Sequence, residues 1–127
     1  MKYAGTVTTD SKRILIVDDE PLITEAMQMI LQRDRHQVEI ADSALAALAM
    51  FSANRYDLVI TDLGLPGLSG AEFAREIREL HPQQPIVCIT GDAEGCGSWD
   101  TLFNAMIEKP LTIDKLRAVV NSASAAM

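Results

Sequence analysis

Short apolar runs of strand length alternate along the chain with longer segments in which apolar residues recur at helical spacing. The predicted strands are residues 13–18, 38–41, 57–61, 86–90 and 105–108. The predicted helices are residues 20–34, 44–53, 71–80 and 113–122. The strands are apolar on both faces, as strands in the middle of a parallel sheet are. The pattern therefore predicts an α/β domain, with a doubly wound five-stranded parallel sheet and helices on both faces.

The length of the chain, 127 residues, fits one domain with an ordinary hydrophobic core. We expect this domain to occupy residues 12–124. Residues 1–11 form a polar leader that we expect to be disordered, and residues 125–127 form a tail.

The charge of the chain argues against some classes of partner. A net charge of −7 is unfavourable for binding a nucleic-acid backbone, which needs a basic face. Residues 1–11 lack the apolar stretch of a signal peptide, and no apolar run is long enough to span a membrane. We therefore expect a cytoplasmic protein with no direct contact to nucleic acid or membrane.

Three acids follow two of the predicted strands. Asp18 ends the first strand and Asp19 follows it, and Asp62 comes directly after the third. Because parallel strands end at the same edge of a sheet, the three carboxylates should converge there. Like charges about 4 Å apart repel by roughly 4 kcal/mol, and a divalent metal such as Mg²⁺ would relieve that repulsion. Taken alone, an acid pair after a strand is more often a helix cap beside a solvated carboxylate.

Two further polar residues end strands at the same edge. Thr90 ends the fourth strand, and Lys109 comes directly after the fifth. Lys109 precedes Pro110, which should keep it extended and outside the following helix. Acids, a hydroxyl and an ammonium suit phosphoryl transfer, because cations neutralise phosphate oxygens, a hydroxyl donates to them, and a carboxylate can act as nucleophile.

With these residues in place, the chain closely resembles the receiver domain of two-component response regulators, the CheY-like family. The resemblance covers about residues 12–124 and implies a flavodoxin-like fold. It rests on four motifs in the right order: Ile14-Leu15-Ile16-Val17-Asp18-Asp19-Glu20-Pro21, Asp62-Leu63-Gly64-Leu65-Pro66-Gly67-Leu68-Ser69-Gly70, Ile89-Thr90-Gly91 and Lys109-Pro110.

The resemblance implies a role for each acid. Asp62 would accept a phosphoryl group from a phosphohistidine on a sensor histidine kinase or a phosphotransfer protein. Asp19 and Asp62 would bind Mg²⁺ directly and Asp18 through water, with the backbone carbonyl of Gly64 completing the protein ligands.

The resemblance also implies a switch. Lys109 would pair with the phosphate and Thr90 would turn inward to hydrogen-bond it, which would change the binding of an output partner that the sequence does not identify. The Lys109–Pro110 peptide is expected to be cis. The chain would phosphorylate and dephosphorylate itself, and it would not be a turnover enzyme.

The segment between Thr90 and Lys109 departs from the family pattern. Receivers normally form a fourth helix here, but Gly91, Gly95 and Gly97 oppose helix by about 1 kcal/mol each relative to alanine. We therefore predict a long loop with at most a short or irregular fourth helix, at about residues 98–104.

Two other functions fit parts of the sequence. A receiver-like module could bind partners without phosphorylation, and the unusual segment before Lys109 supports that alternative. A metal-dependent hydrolase with an aspartyl nucleophile is the second. Such enzymes resemble this chain but carry an acid two residues after the nucleophile, where Gly64 stands here.

Overall fold

The computed structural model describes residues 11–53, 55–65, 67–91 and 102–123. Strands and helices alternate in these residues, except between the last two strands, which are separated by residues 92–101 outside the described ranges. The strands are β1 (Arg13–Val17), β2 (Gln37–Ala41), β3 (Leu58–Asp62), β4 (Ile86–Thr90) and β5 (Ala105–Glu108). The helices are α1 (Pro21–Arg33), α2 (Ala44–Ala53), α3 (Gly70–Leu80) and α4 (Ile113–Ala123).

All five strands are parallel and form one sheet in the order β2-β1-β3-β4-β5. One face of the sheet packs against α2 and α3 through residues such as Phe51 and Phe73. The other face packs against α1 and α4 through residues such as Met27 and Leu116. The predicted doubly wound sheet with helices on both faces is confirmed.

Local signals in the sequence set the helix starts. Pro21 occupies the first turn of α1, where its missing N–H is no loss. The Ser69 hydroxyl accepts a hydrogen bond from the Glu72 amide at the start of α3, and the Glu72 carboxylate accepts one from the Ser69 amide. This capping box satisfies two backbone donors that the helix itself cannot.

Some sequence expectations differ from the structure or fall outside the described residues. β3 begins one residue later than predicted. It also ends one residue later, because the amide of Leu63 still donates to the Ile89 carbonyl and extends the ladder. The expected leader and tail lie mostly outside the described residues. The short or irregular fourth helix was expected at about residues 98–104, and most of that segment also lies outside the described residues. Its last three residues, 102–104, are described and are not helical. None of the helices in the described residues has the length and apolar character needed to span a membrane.

Candidate functional site

The acids are positioned by the register of two neighbouring strands. β1 and β3 are paired so that Val17 lies opposite Thr61, and both strands therefore end at the same level. Asp18 follows β1, and its amide donates to the carbonyl of Ala41 on β2 at 3.1 Å. Asp62 is the last residue of β3. The carboxyl edge of the sheet thus brings together acids that are 44 residues apart in the sequence.

The three carboxylates converge as the sequence predicts. Asp18, Asp19 and Asp62 each place an oxygen within 4.8 Å of the others. Asp18 is 3% exposed and Asp62 is 8% exposed, whereas Asp19 is open to solvent. In the described part of the chain, this is the one group of three or more acidic, histidine or cysteine residues close enough to hold a metal ion.

Asp18 has an incompletely satisfied carboxylate. Its Oδ1 accepts a hydrogen bond from the Glu20 amide at 3.0 Å, but its buried Oδ2 has no hydrogen-bond partner among the described residues. Burial raises the pKa of the Asp18 carboxyl, against which the bond from the Glu20 amide acts. The negative charge of Asp62 raises the pKa of Asp18 further, and the positive charge of Lys109 lowers it.

A divalent cation fits this donor set. Three carboxylates supply hard oxygen ligands of the kind that Mg²⁺ prefers. The buried Oδ2 of Asp18 has no hydrogen-bond donor among the described residues, and a bound cation would stabilise its negative charge. The type and number of ligand atoms in the acidic cluster are therefore suited to Mg²⁺.

The hydroxyl and the ammonium come from the other half of the sheet. Thr90 ends β4, is 5% exposed, and lies opposite Glu108 of β5. Lys109 follows β5, and its amide donates to the Thr90 carbonyl at 2.8 Å. Its Nζ lies 3.8 Å from Oδ1 of Asp62, so the ammonium contacts the acidic cluster directly. The Lys109–Pro110 peptide is cis, as predicted.

Two glycines shape the loop after β3. Gly64 is exposed, its amide donates to Oδ1 of Asp62 at 3.3 Å, and a Cβ at this position would meet no atom within 4 Å. Gly70, at the start of α3, is different, because a Cβ there would overlap the backbone of Asp62 and Leu63. The sequence motif that begins at Asp62 includes Gly70, but it does not predict this contact. The signal in the sequence that could have predicted this contact is a glycine, a poor helix former, directly after a good helix cap, Ser69.

Comparisons with known proteins agree with this geometry. A family model described as "Response regulator receiver domain" matches residues 14–121. The chain is 31% identical over 128 residues to the autoinducer 1 sensor kinase/phosphatase LuxN of Vibrio harveyi, an alignment that covers 94% of the chain and 15% of LuxN. It is 33% identical over 119 residues to the response regulator protein PilR of Pseudomonas aeruginosa, covering 88% of the chain and 26% of PilR.

A solved structure gives the same result. The crystal structure of response regulator protein TrrA from Thermotoga maritima, in complex with Mg²⁺-BeF, superposes with a TM-score of 0.81 at 34% identity. The match covers 88% of this chain and 98% of TrrA. In contrast, the chain spans about a quarter or less of the length of the two curated relatives.

Proposed function

The chain belongs to the response regulator receiver domain family, and we propose that within it Asp62 is the residue that accepts the phosphoryl group. One observation carries this assignment. Asp62 is the acid that lies between an acidic pair suited to a metal and an ammonium, with oxygens within 4.8 Å of Asp18 and Asp19 and 3.8 Å from Lys109 Nζ. A nucleophilic carboxylate needs positive charge on both sides, because the incoming phosphoryl group is itself an anion.

The transfer is a displacement at phosphorus. A carboxylate oxygen of Asp62 attacks the phosphorus of a phosphohistidine, a P–O bond forms, and the P–N bond breaks. The bonding electron pair stays on the imidazole nitrogen, which then takes up a proton. Hydrolysis restores the resting state, because water attacks the phosphorus, the P–O bond to Asp62 breaks, and inorganic phosphate leaves.

Lys109 and Thr90 act on the phosphoryl oxygens. The Lys109 ammonium already contacts Asp62 and offsets part of the negative charge that the phosphoryl group brings. Thr90 supplies a hydroxyl donor from the neighbouring strand end. The Lys109 amide donates a hydrogen bond to the Thr90 carbonyl and so joins the two residues. A movement of Thr90 toward the phosphate would therefore also displace the end of β5.

The acidic cluster is the proposed Mg²⁺ site. Asp18, Asp19 and Asp62 would hold the ion, together with the backbone carbonyl of Gly64. When bound, Mg²⁺ neutralises the carboxylates and the phosphoryl oxygens. The Mg²⁺-BeF complex of TrrA supports the choice of metal.

The partners follow from the chemistry of the acceptor. The phosphodonor is a sensor histidine kinase or a phosphotransfer protein, and phosphorylation switches the binding of an output partner. Similarity to a sensor kinase/phosphatase and to a response regulator supports this pairing. The phosphoryl group stays on the chain's own side chain, so the domain regulates and does not turn over an external substrate. A cytoplasmic location is part of the same proposal.

Intact-mass spectrometry after incubation with Mg²⁺ and a small phosphodonor, such as acetyl phosphate, tests this function. We expect one phosphoryl adduct that decays slowly, is removed by hydroxylamine as an acyl phosphate is, and does not form in EDTA. No adduct with acetyl phosphate or with phosphoramidate would contradict the proposal and favour an interaction module that works without phosphorylation.

A further inference from the structure

The loop that carries Lys109 is held by a second lysine. Lys115 lies in the first turn of α4, and its side chain is exposed. Its Nζ donates to the carbonyl oxygen of Glu108 at 3.2 Å and to that of Pro110 at 3.1 Å. These two carbonyls flank Lys109 in the chain, so one ammonium joins the residues on either side of it.

The position of Lys115 is opposed by the local electrostatics of the helix. The amino end of a helix carries partial positive charge, and a cation in the first turn is unfavourable there. The backbone at this turn is already capped, because the Lys115 amide donates to the Thr112 hydroxyl at 3.1 Å and the Leu116 amide donates to the Thr112 carbonyl at 3.0 Å. The helix start therefore has its cap without the Lys115 ammonium, and the two bonds to the loop offset the unfavourable placement.

The bonds from Lys115 complete a support that the sheet provides on one side only. In the described sheet β5 pairs with β4 alone, and the Lys109 amide faces β4 through its bond to Thr90. Because successive backbone groups in a strand point in opposite directions, the Glu108 carbonyl faces away from β4. Lys115 supplies the donor on that outer side. The backbone at Lys109 is thus fixed by β4 from one side and by Lys115 from the other.

We propose that Lys115 is a positioning residue for phosphoryl transfer: by binding the carbonyls of Glu108 and Pro110 it keeps the Lys109 ammonium beside Asp62. This inference rests on the proposed function, in which Lys109 neutralises the phosphoryl oxygens. Lys115 itself touches neither Asp62 nor the other acids in the contacts that the structure describes.

Phosphorylation kinetics test the inference first. With acetyl phosphate and saturating Mg²⁺, Lys115→Met should slow adduct formation about fivefold. This is the change in rate expected if the transition state loses the net stabilisation of one hydrogen bond. Lys115→Arg should keep most of the rate, because a guanidinium can donate to both carbonyls. Arg75→Met, which removes an exposed positive charge from α3, is the matched control and should keep the wild-type rate.

A double-mutant comparison separates positioning from a general loss of structure. If Lys115 acts through Lys109, then Lys115→Met should cost almost nothing when introduced into Lys109→Ala. Mg²⁺ affinity, measured by calorimetry, should not fall in Lys115→Met, because the acids are unchanged and an ammonium withdrawn from Asp62 competes less with the metal. Equal slowing by Lys115→Met in both backgrounds, or failure of Lys115→Arg to restore the rate, would overturn the inference.

Side-chain NMR gives a readout that needs neither phosphodonor nor metal. The chain has four lysines, at positions 2, 12, 109 and 115, so the Lys109 signal can be assigned by substitution. Asp62→Asn should define the signal of Lys109 without its carboxylate partner. Lys115→Met should shift the Lys109 signal toward that reference, and Lys115→Arg should not. An unshifted signal contradicts the inference, whereas a wild type without any phosphoryl adduct contradicts the proposed function.

Discussion

At the amino edge of the sheet, where β1 and β3 begin, opposite charges are paired. Arg13 lies 3.6 Å from Glu39 (Nη2 to Oε2) and stacks over the ring of Tyr56 at 5.4 Å. Asp57, just before β3, accepts a bond from the Arg13 amide at 2.8 Å. At the carboxyl edge, where the same strands end, three carboxylates converge. Among the described ion pairs, one ammonium contacts them, that of Lys109.

Each edge also contains one buried atom without a hydrogen-bond partner among the described residues, Nζ of Lys12 at the amino edge and Oδ2 of Asp18 at the carboxyl edge. An unpartnered buried group is therefore not enough to mark a site. Asp18 differs because two other carboxylates lie within 4.8 Å, so that a bound cation would relieve the repulsion between them. Convergence of like charge is what separates the edge proposed to be functional from the opposite edge of the sheet.

The two ends of β3 allow the most direct test of this difference. Asp62→Asn at the carboxyl end should abolish the phosphoryl adduct, because an amide is not a nucleophile toward phosphorus. Asp57→Asn, the same substitution just before the other end of the strand, should leave the adduct intact. Intact mass after incubation with Mg²⁺ and acetyl phosphate measures both. An adduct of undiminished yield on Asp62→Asn would show that another residue is the acceptor.

Two exposed aspartates at the carboxyl edge test which acids belong to the metal site. Asp19→Ala should lower Mg²⁺ affinity by more than about tenfold, since it removes a solvent-facing ligand, and should remove most phosphorylation. Asp42→Ala is the matched control, because Asp42 is also exposed and follows β2, but it lies outside the cluster. Calorimetry that finds equal losses for the two variants would contradict the proposed ligand set.

The sign of a stability change distinguishes the edges in metal-free buffer. Charges about 5 Å apart repel by roughly 3 kcal/mol at an effective dielectric near 20, and Lys109 offsets part of this repulsion. Asp18→Asn keeps an acceptor for the Glu20 amide, so we expect it to raise the free energy of unfolding by about 1 kcal/mol in EDTA. Asp57→Asn should give no gain, because its carboxylate is already bonded. Thermal melts in EDTA and in Mg²⁺ measure both, and a gain for Asp18→Asn that persists in saturating Mg²⁺ would argue against repulsion as the cause.

The sequence predicts the carboxyl edge better than the contacts around it. Apolar runs must be buried, so the strands and their polar ends could be located, and parallel pairing then required the acids to meet. Contacts that depend on how a helix start meets a strand could not be found this way, as Gly70 against Asp62 and Lys115 over the loop both show. His36 is a further case. A histidine that follows a helix is usually at the surface, but Arg35 has a φ of +72° and the chain turns back. His36 is therefore buried, and its Nδ1 accepts a hydrogen bond from the Lys12 amide.

The smallest predicted effect concerns a carboxylate at the carboxyl edge that does have partners. Two hydrogen bonds with Ser69 at the start of α3 hold the pKa of Glu72 below its ordinary value of 4.5. A lowered pKa in the folded state means that the Glu72 charge stabilises the protein above pH 4.5, and that this contribution is lost as the pH falls through the folded-state pKa. Glu72→Gln keeps an acceptor but has no charge to lose, so its thermal stability should depend less on pH below 4.5 than that of wild type.

Ser69→Ala should instead lower stability by about 1 kcal/mol at neutral pH, because the helix loses its cap. Identical pH profiles for Glu72→Gln and wild type would mean that the capping box acts through its hydrogen bonds alone, and that the carboxyl edge gains nothing from this charge.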